Sequence, residues 1–111
     1  MDERDFDRAA DRIIQHLMEA LEDQLPDAEI DLEGGILTVV LPELGSYLVN
    51  KHRPNREIWL SSPKSGAWHF AHDPEAGWIS TRVVDDERPN LHRLLADELA
   101  DAIGVPVKLT E

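Results

Sequence analysis

The sequence predicts an α+β fold: a two-layer αβ sandwich with two terminal helices on one face of a mostly antiparallel sheet of about six strands. Three features point there. Apolar residues recur every three or four positions at both ends of the chain, they alternate at every second position in between, and Gly- and Pro-containing turns punctuate the alternating stretch. A helix buries a stripe and a strand buries one face. Consecutive antiparallel strands flanked by helices are therefore satisfied by one meandering sheet that leaves its other face to solvent.

From Asp5 to Leu25, the residues Phe6, Ala10, Ile13, Leu17, Leu21 and Leu25 mark the stripe of a long helix ended by Pro26. Asp11, Glu19, Glu22 and Asp23 project opposite that stripe. Glu29-Ile30-Asp31-Leu32-Glu33 alternates strictly, with Ile30 and Leu32 inward and three carboxylates on the other face. Gly34-Gly35 then permits a tight hairpin into Ile36 to Leu41. Further strands are read at Ser46 to His52, Glu57 to Ser62, Ala67 to Ala71 and Trp78 to Arg82, separated by turn chemistry such as Arg53-Pro54-Asn55. Asn90 caps a closing helix whose buried face is Leu91, Leu94, Leu95, Leu99, Ala102 and Ile103, and Gly104 ends it. The length suits one domain, residues 1–111.

Cysteine is absent, which excludes disulfides, thiolate metal sites and cysteine catalysis, so any metal sits on oxygen or imidazole. The first seven residues hold four acids and no apolar stretch, unlike a secretory or transit segment, and the longest apolar run is Ile36 to Leu41. A cytoplasmic protein without a membrane span is expected. The net charge of −12 argues against nucleic acid as a ligand and favours cations and basic protein surfaces. The charge is also unevenly spread. No Lys or Arg occurs between Arg12 and Lys51, an interval that holds Glu19, Glu22, Asp23, Asp27, Glu29, Asp31, Glu33 and Glu43, whereas Lys51, Arg53, Arg56 and Lys64 follow with only Glu57 against them. An electrically two-sided molecule is predicted.

The stretch Tyr47-Leu48-Val49-Asn50-Lys51-His52-Arg53-Pro54-Asn55-Arg56-Glu57-Ile58-Trp59-Leu60-Ser61-Ser62-Pro63 resembles the signature of the frataxin family, in which an Asn-Lys segment leads through a Pro-Asn turn into Ile-Trp-Leu-Ser-Ser-Pro. The resemblance extends to the acidic first helix and strand, to Gly34-Gly35 before Ile36-Leu37-Thr38-Val39, and to Leu91-His92-Arg93-Leu94-Leu95. His69 departs from it, standing where many members carry an exposed Arg, and the turn from Asp73 to Gly77 is differently built. The resemblance implies iron binding on the acidic ridge of the first helix and strand. It also implies docking on cysteine desulfurase and the iron-sulfur scaffold protein, by a chain that is monomeric and oligomerises with iron.

The candidate metal residues are Glu19, Glu22, Asp23, Asp27, Glu29, Asp31 and Glu33. An arbitrary acidic helix face is usually a solvated one. These acids, however, have no base among them to relieve their mutual repulsion. Carboxylate oxygens suit hard cations and Fe2+, but side chains diverge from a helix, so weak, exchangeable iron in competition with other divalent ions is expected. His16, one turn before Glu19, is a possible assistant. The candidate partner-binding residues are Asn50, Lys51, Arg53, Arg56, Trp59 and His69. Alternation sends Trp59 to the open sheet face when Ile58 and Leu60 face the helices, and an exposed Trp among polar groups is a typical interface anchor. Trp68 and Trp78 are assigned to packing. The alternative function is a ferroxidase that oxidises Fe2+ and stores the product; it is disfavoured because no Glu-x-x-His motif occurs and two helices on a sheet offer no bundle interior.

Overall fold

The structure, a computed structural model, describes residues 1–110. Its elements are α1 (Glu3–Gln24), β1 (Glu29–Glu33), β2 (Ile36–Leu41), β3 (Gly45–His52), β4 (Glu57–Ser62), β5 (Gly66–Asp73), β6 (Gly77–Ser80) and α2 (Leu91–Ile103). The six strands form one antiparallel sheet in chain order, so every connection is a hairpin. Helix α1 begins two residues before the predicted start because the Asp2 carboxylate accepts the Asp5 N–H at 2.8 Å and caps it. Gly34 and Gly35 form the first hairpin with φ of 60° and 79°, a left-handed pair that side chains rarely adopt.

One core lies between the helices and the inner sheet face. Phe6, Ala10, Ile13, Ile14, Leu17 and Leu21 of α1 and Leu91, Leu95 and Leu99 of α2 pack on Leu37, Val39, Tyr47, Val49, Ile58, Leu60, Trp68, Phe70 and Trp78. Trp68 and Trp78 are buried, as packing requires. Ala102, expected in the buried face of α2, is exposed, because Ile103 occupies the inward position in that last turn. Strand β6 stops at Ser80 rather than Arg82. The Ser80 hydroxyl accepts the Arg82 N–H at 3.1 Å and turns the chain, while Ser80 N–H donates to Pro89 C=O at 2.8 Å. Val107 and Leu109, beyond the last predicted element, are buried too. The Gln24 side chain clasps this tail through Lys108 N–H and C=O, at 2.8 and 2.6 Å.

Glu98 of α2 ties the helix layer to the sheet. Its Oε1 accepts hydrogen bonds from Tyr47 Oη at 2.9 Å and Ser62 Oγ at 2.6 Å, and its Oε2 accepts one from Ser65 Oγ. Ser65 in turn accepts the Trp68 indole N–H at 2.8 Å. Burial, and then the Glu98 carboxylate, push the Tyr47 hydroxyl far above its ordinary pKa, so it remains a donor. Replacing Glu98 with Ala leaves a fully buried hydroxyl without its acceptor, whereas Tyr47→Phe removes one bond and leaves the serines satisfied. Urea denaturation should therefore show a loss of about 2–3 kcal/mol for Glu98→Ala and about 1 kcal/mol for Tyr47→Phe. Equal losses would contradict the role of Glu98 as the hub.

Candidate functional site: an acidic ridge and an open sheet face

All seven ridge residues are exposed. Glu19, Glu22 and Asp23 lie in the second half of α1, Asp27 in the turn after it, and Glu29, Asp31 and Glu33 on β1. Strand β1 ends the sheet. Its register pairs Asp31 with Thr38, Thr38 with Leu48 and Leu48 with Ser61, so its acids belong to the open face and those of α1 to the helix layer. The ridge thus wraps around the sheet edge. Among the described residues none of the seven has an ion-pair partner, and no three His, Asp or Glu side chains converge closely enough to hold a metal. Its donor set is spread carboxylate oxygen, chemistry that suits a hydrated, exchangeable cation. His16 turns away from this role, its Nε2 lying 2.9 Å from the Leu109 carbonyl of the tail.

Of Lys51, Arg53, Arg56 and Lys64, three pair with acids of the helix layer. Lys51 points to the helix side, by the same alternation that turns Asn50 outward, and pairs with Asp11 at 2.7 Å and Asp7 at 3.6 Å. The Arg53 Nε donates to Asp7 Oδ1 at 3.0 Å. Lys64 pairs with Asp101 of α2. Arg56, exposed at φ 51° in the β3–β4 turn, is the one of these four without an ion-pair partner among the described residues. The first half of α1 is thereby neutralised while the second half and β1 are not.

Asn50, Trp59 and His69 do come together, directly opposite one another across β3, β4 and β5. Trp59 is half-buried, stacked between the rings of His52 and His69. Its indole N–H donates to Glu57 Oε1 at 3.0 Å. His52 and Glu57 are additions to the predicted set. The signal for both was already in the alternation, since each lies two residues from Asn50 or Trp59 on the same face.

A family described as a frataxin-like domain matches residues 1–105. The chain is 39% identical to mitochondrial frataxin of Arabidopsis thaliana, covering 99% of this chain and 60% of that protein's length. It is 32% identical to the iron-sulfur cluster assembly protein CyaY of Neisseria meningitidis serogroup A, covering 100% of this chain and 98% of the relative. Among solved structures, frataxin from Psychromonas ingrahamii superimposes over the full length of both chains with a TM-score of 0.82 at 22% identity, a likeness of fold. Trimeric yeast frataxin complexed with ferrous iron gives 0.74 at 33% identity, over 86% of each chain.

Hydrogen bonding to Arg53, with the charges of Arg53 and Lys51, holds the Asp7 carboxyl below its usual range. A depressed carboxyl stabilises the fold above its unfolded pKa, and that contribution disappears as pH falls through the folded value. Denaturation of wild type and Asp7→Asn should therefore differ most near neutral pH and converge as pH falls below the ordinary carboxylate range. A gap that widened toward acid would show that Asp7 is not held by these bases.

Proposed function

Because this chain belongs to the frataxin-like family, we propose that it is a cytoplasmic, non-enzymatic adaptor of iron-sulfur cluster assembly. It docks on the cysteine desulfurase and its scaffold protein and carries weakly held iron on the ridge. The observation that carries this reading is the set of seven exposed carboxylates with no ion-pair partner among the described residues, set around the edge of a sheet whose open face presents Trp59. Uncompensated charge of one sign steers a basic partner and attracts cations, acting mainly on encounter rate. A half-buried aromatic amid polar groups acts at short range and on residence time. The same dispersion of ligands speaks against the ferroxidase alternative, which needs carboxylates converging on a metal pair.

Iron should broaden the NMR signals of Glu19 to Glu33 while leaving the inner strands unchanged, and excess Mg2+ or Ca2+ should reverse it. Tight, iron-selective binding, or broadening centred on His69 and His72, would overturn the ridge assignment. In kinetic binding to the desulfurase–scaffold complex, the combined changes Glu19→Lys, Glu22→Lys and Asp23→Lys should slow association by about tenfold or more and flatten its salt dependence. Trp59→Ala should instead accelerate dissociation and leave the salt dependence intact.

A further inference from the structure

The ring centroid of Trp59 is 3.7 Å from that of His52, with the planes 9° apart, and 4.2 Å from that of His69, with the planes 8° apart. These residues sit one each on the adjacent strands β3, β4 and β5. Neighbouring strands are about 4.8 Å apart and side chains stand roughly perpendicular to a sheet. Parallel rings at nearly that spacing therefore stand upright, faces together and edges outward. The indole N–H is already donated to Glu57. Nδ1 of His52 is buried with no hydrogen-bond partner, so nothing polar tethers that atom, and the stack is what the ring rests against. Nδ1 of His69 lies 3.8 Å from the same Glu57 oxygen, an ion pair when the ring is protonated.

We propose that His52 and His69 are positioning residues for Trp59: they hold the indole upright, cover both of its faces, and restrict a docking protein to the outer edges of three rings. This rests on the assignment of the open face as a docking surface. With both faces covered and the N–H used, a partner can neither stack on the indole nor accept its proton. Ring edges carry the positive end of the aromatic quadrupole, so the fitting occupant is a desulfurase–scaffold surface that brings electron-rich atoms, carbonyl oxygens or ring faces, against them. A protonated imidazole over the indole adds a cation–π attraction. Glu57 of β4 is the charged group that faces the stack. Lys51 of β3 turns to the helix side, and the nearest outward positions on β2 and β6 are Ile36 and Ile79, with Thr81 just beyond β6. Arg53 and Arg56 lie at the exposed turn.

Fluorine NMR of the full chain labelled with fluorotryptophan tests this, with the Trp59 line assigned by Trp59→Phe. The double variant His52→Phe/His69→Phe should keep the rings stacked and leave the line narrow, whereas His52→Ala or His69→Ala should broaden the line as the indole gains freedom. Against the purified desulfurase–scaffold complex, each alanine variant should dissociate about fivefold faster, the scale of one aromatic pair. A Trp59 line unaffected by both alanine variants overturns the positioning role. If Trp59→Ala weakens binding and the alanine variants do not, the inference fails while the docking face stands. If Trp59→Ala binds as wild type, the docking face fails and takes the inference with it.

Discussion

A sheet covered by helices on one side only must send alternate side chains to opposite environments, and the rest of this structure depends on that sorting. Tyr47, Val49, Ile58, Leu60, Trp68 and Phe70 go inward and close the core against α1 and α2. Their neighbours Asn50, Trp59 and His69 go outward and line up across three strands. A one-residue slip of β4 would bury Trp59 and expose Ile58 and Leu60, so core and open face are specified by the same register. Glu98 secures the arrangement from the helix side by bonding to residues of β3, β4 and the turn that follows.

Charge is sorted by a second rule, that bases are used where acids are near. Lys51 and Arg53 are drawn to Asp7 and Asp11 on the first half of α1, and Lys64 to Asp101. Among the described residues no Lys or Arg pairs with the seven acids from Glu19 to Glu33. The uncompensated acids therefore follow from where the ion pairs form, not only from the net charge. By register the β1 acids share the open face with Trp59, at the far edge of the same sheet. A partner that spans this face meets long-range charge at one side and a short-range anchor near the middle.

Elements whose signal is periodic were legible in the sequence: both helices, the first hairpin at Gly34-Gly35, and the outward turn of Trp59. Features that depend on residues far apart in the chain were not. Tyr47 and Glu98 are 51 positions apart, and nothing local to either announces their hydrogen bond. The tail residues Val107 and Leu109 are too few and too near Pro106 to show a period, yet they complete the core. Lys51, expected at the partner surface with Trp59, is turned by alternation to the opposite face, where it pairs with Asp11. His52 was legible by the same alternation, but its stack with Trp59 is diagonal across two strands and emerges only with the rings in place.

Cross-saturation NMR of the labelled chain bound to the desulfurase–scaffold complex reports which side chains touch the partner. Attenuation should appear at two places joined around the β1 edge: the ridge from Glu19 to Glu33, and the row Asn50, Trp59 and His69 with His52. Residues of α2 and of the tail through Leu109 should be untouched. Attenuation centred on α2, or on the ridge with Trp59 and its neighbours silent, would contradict docking through both places.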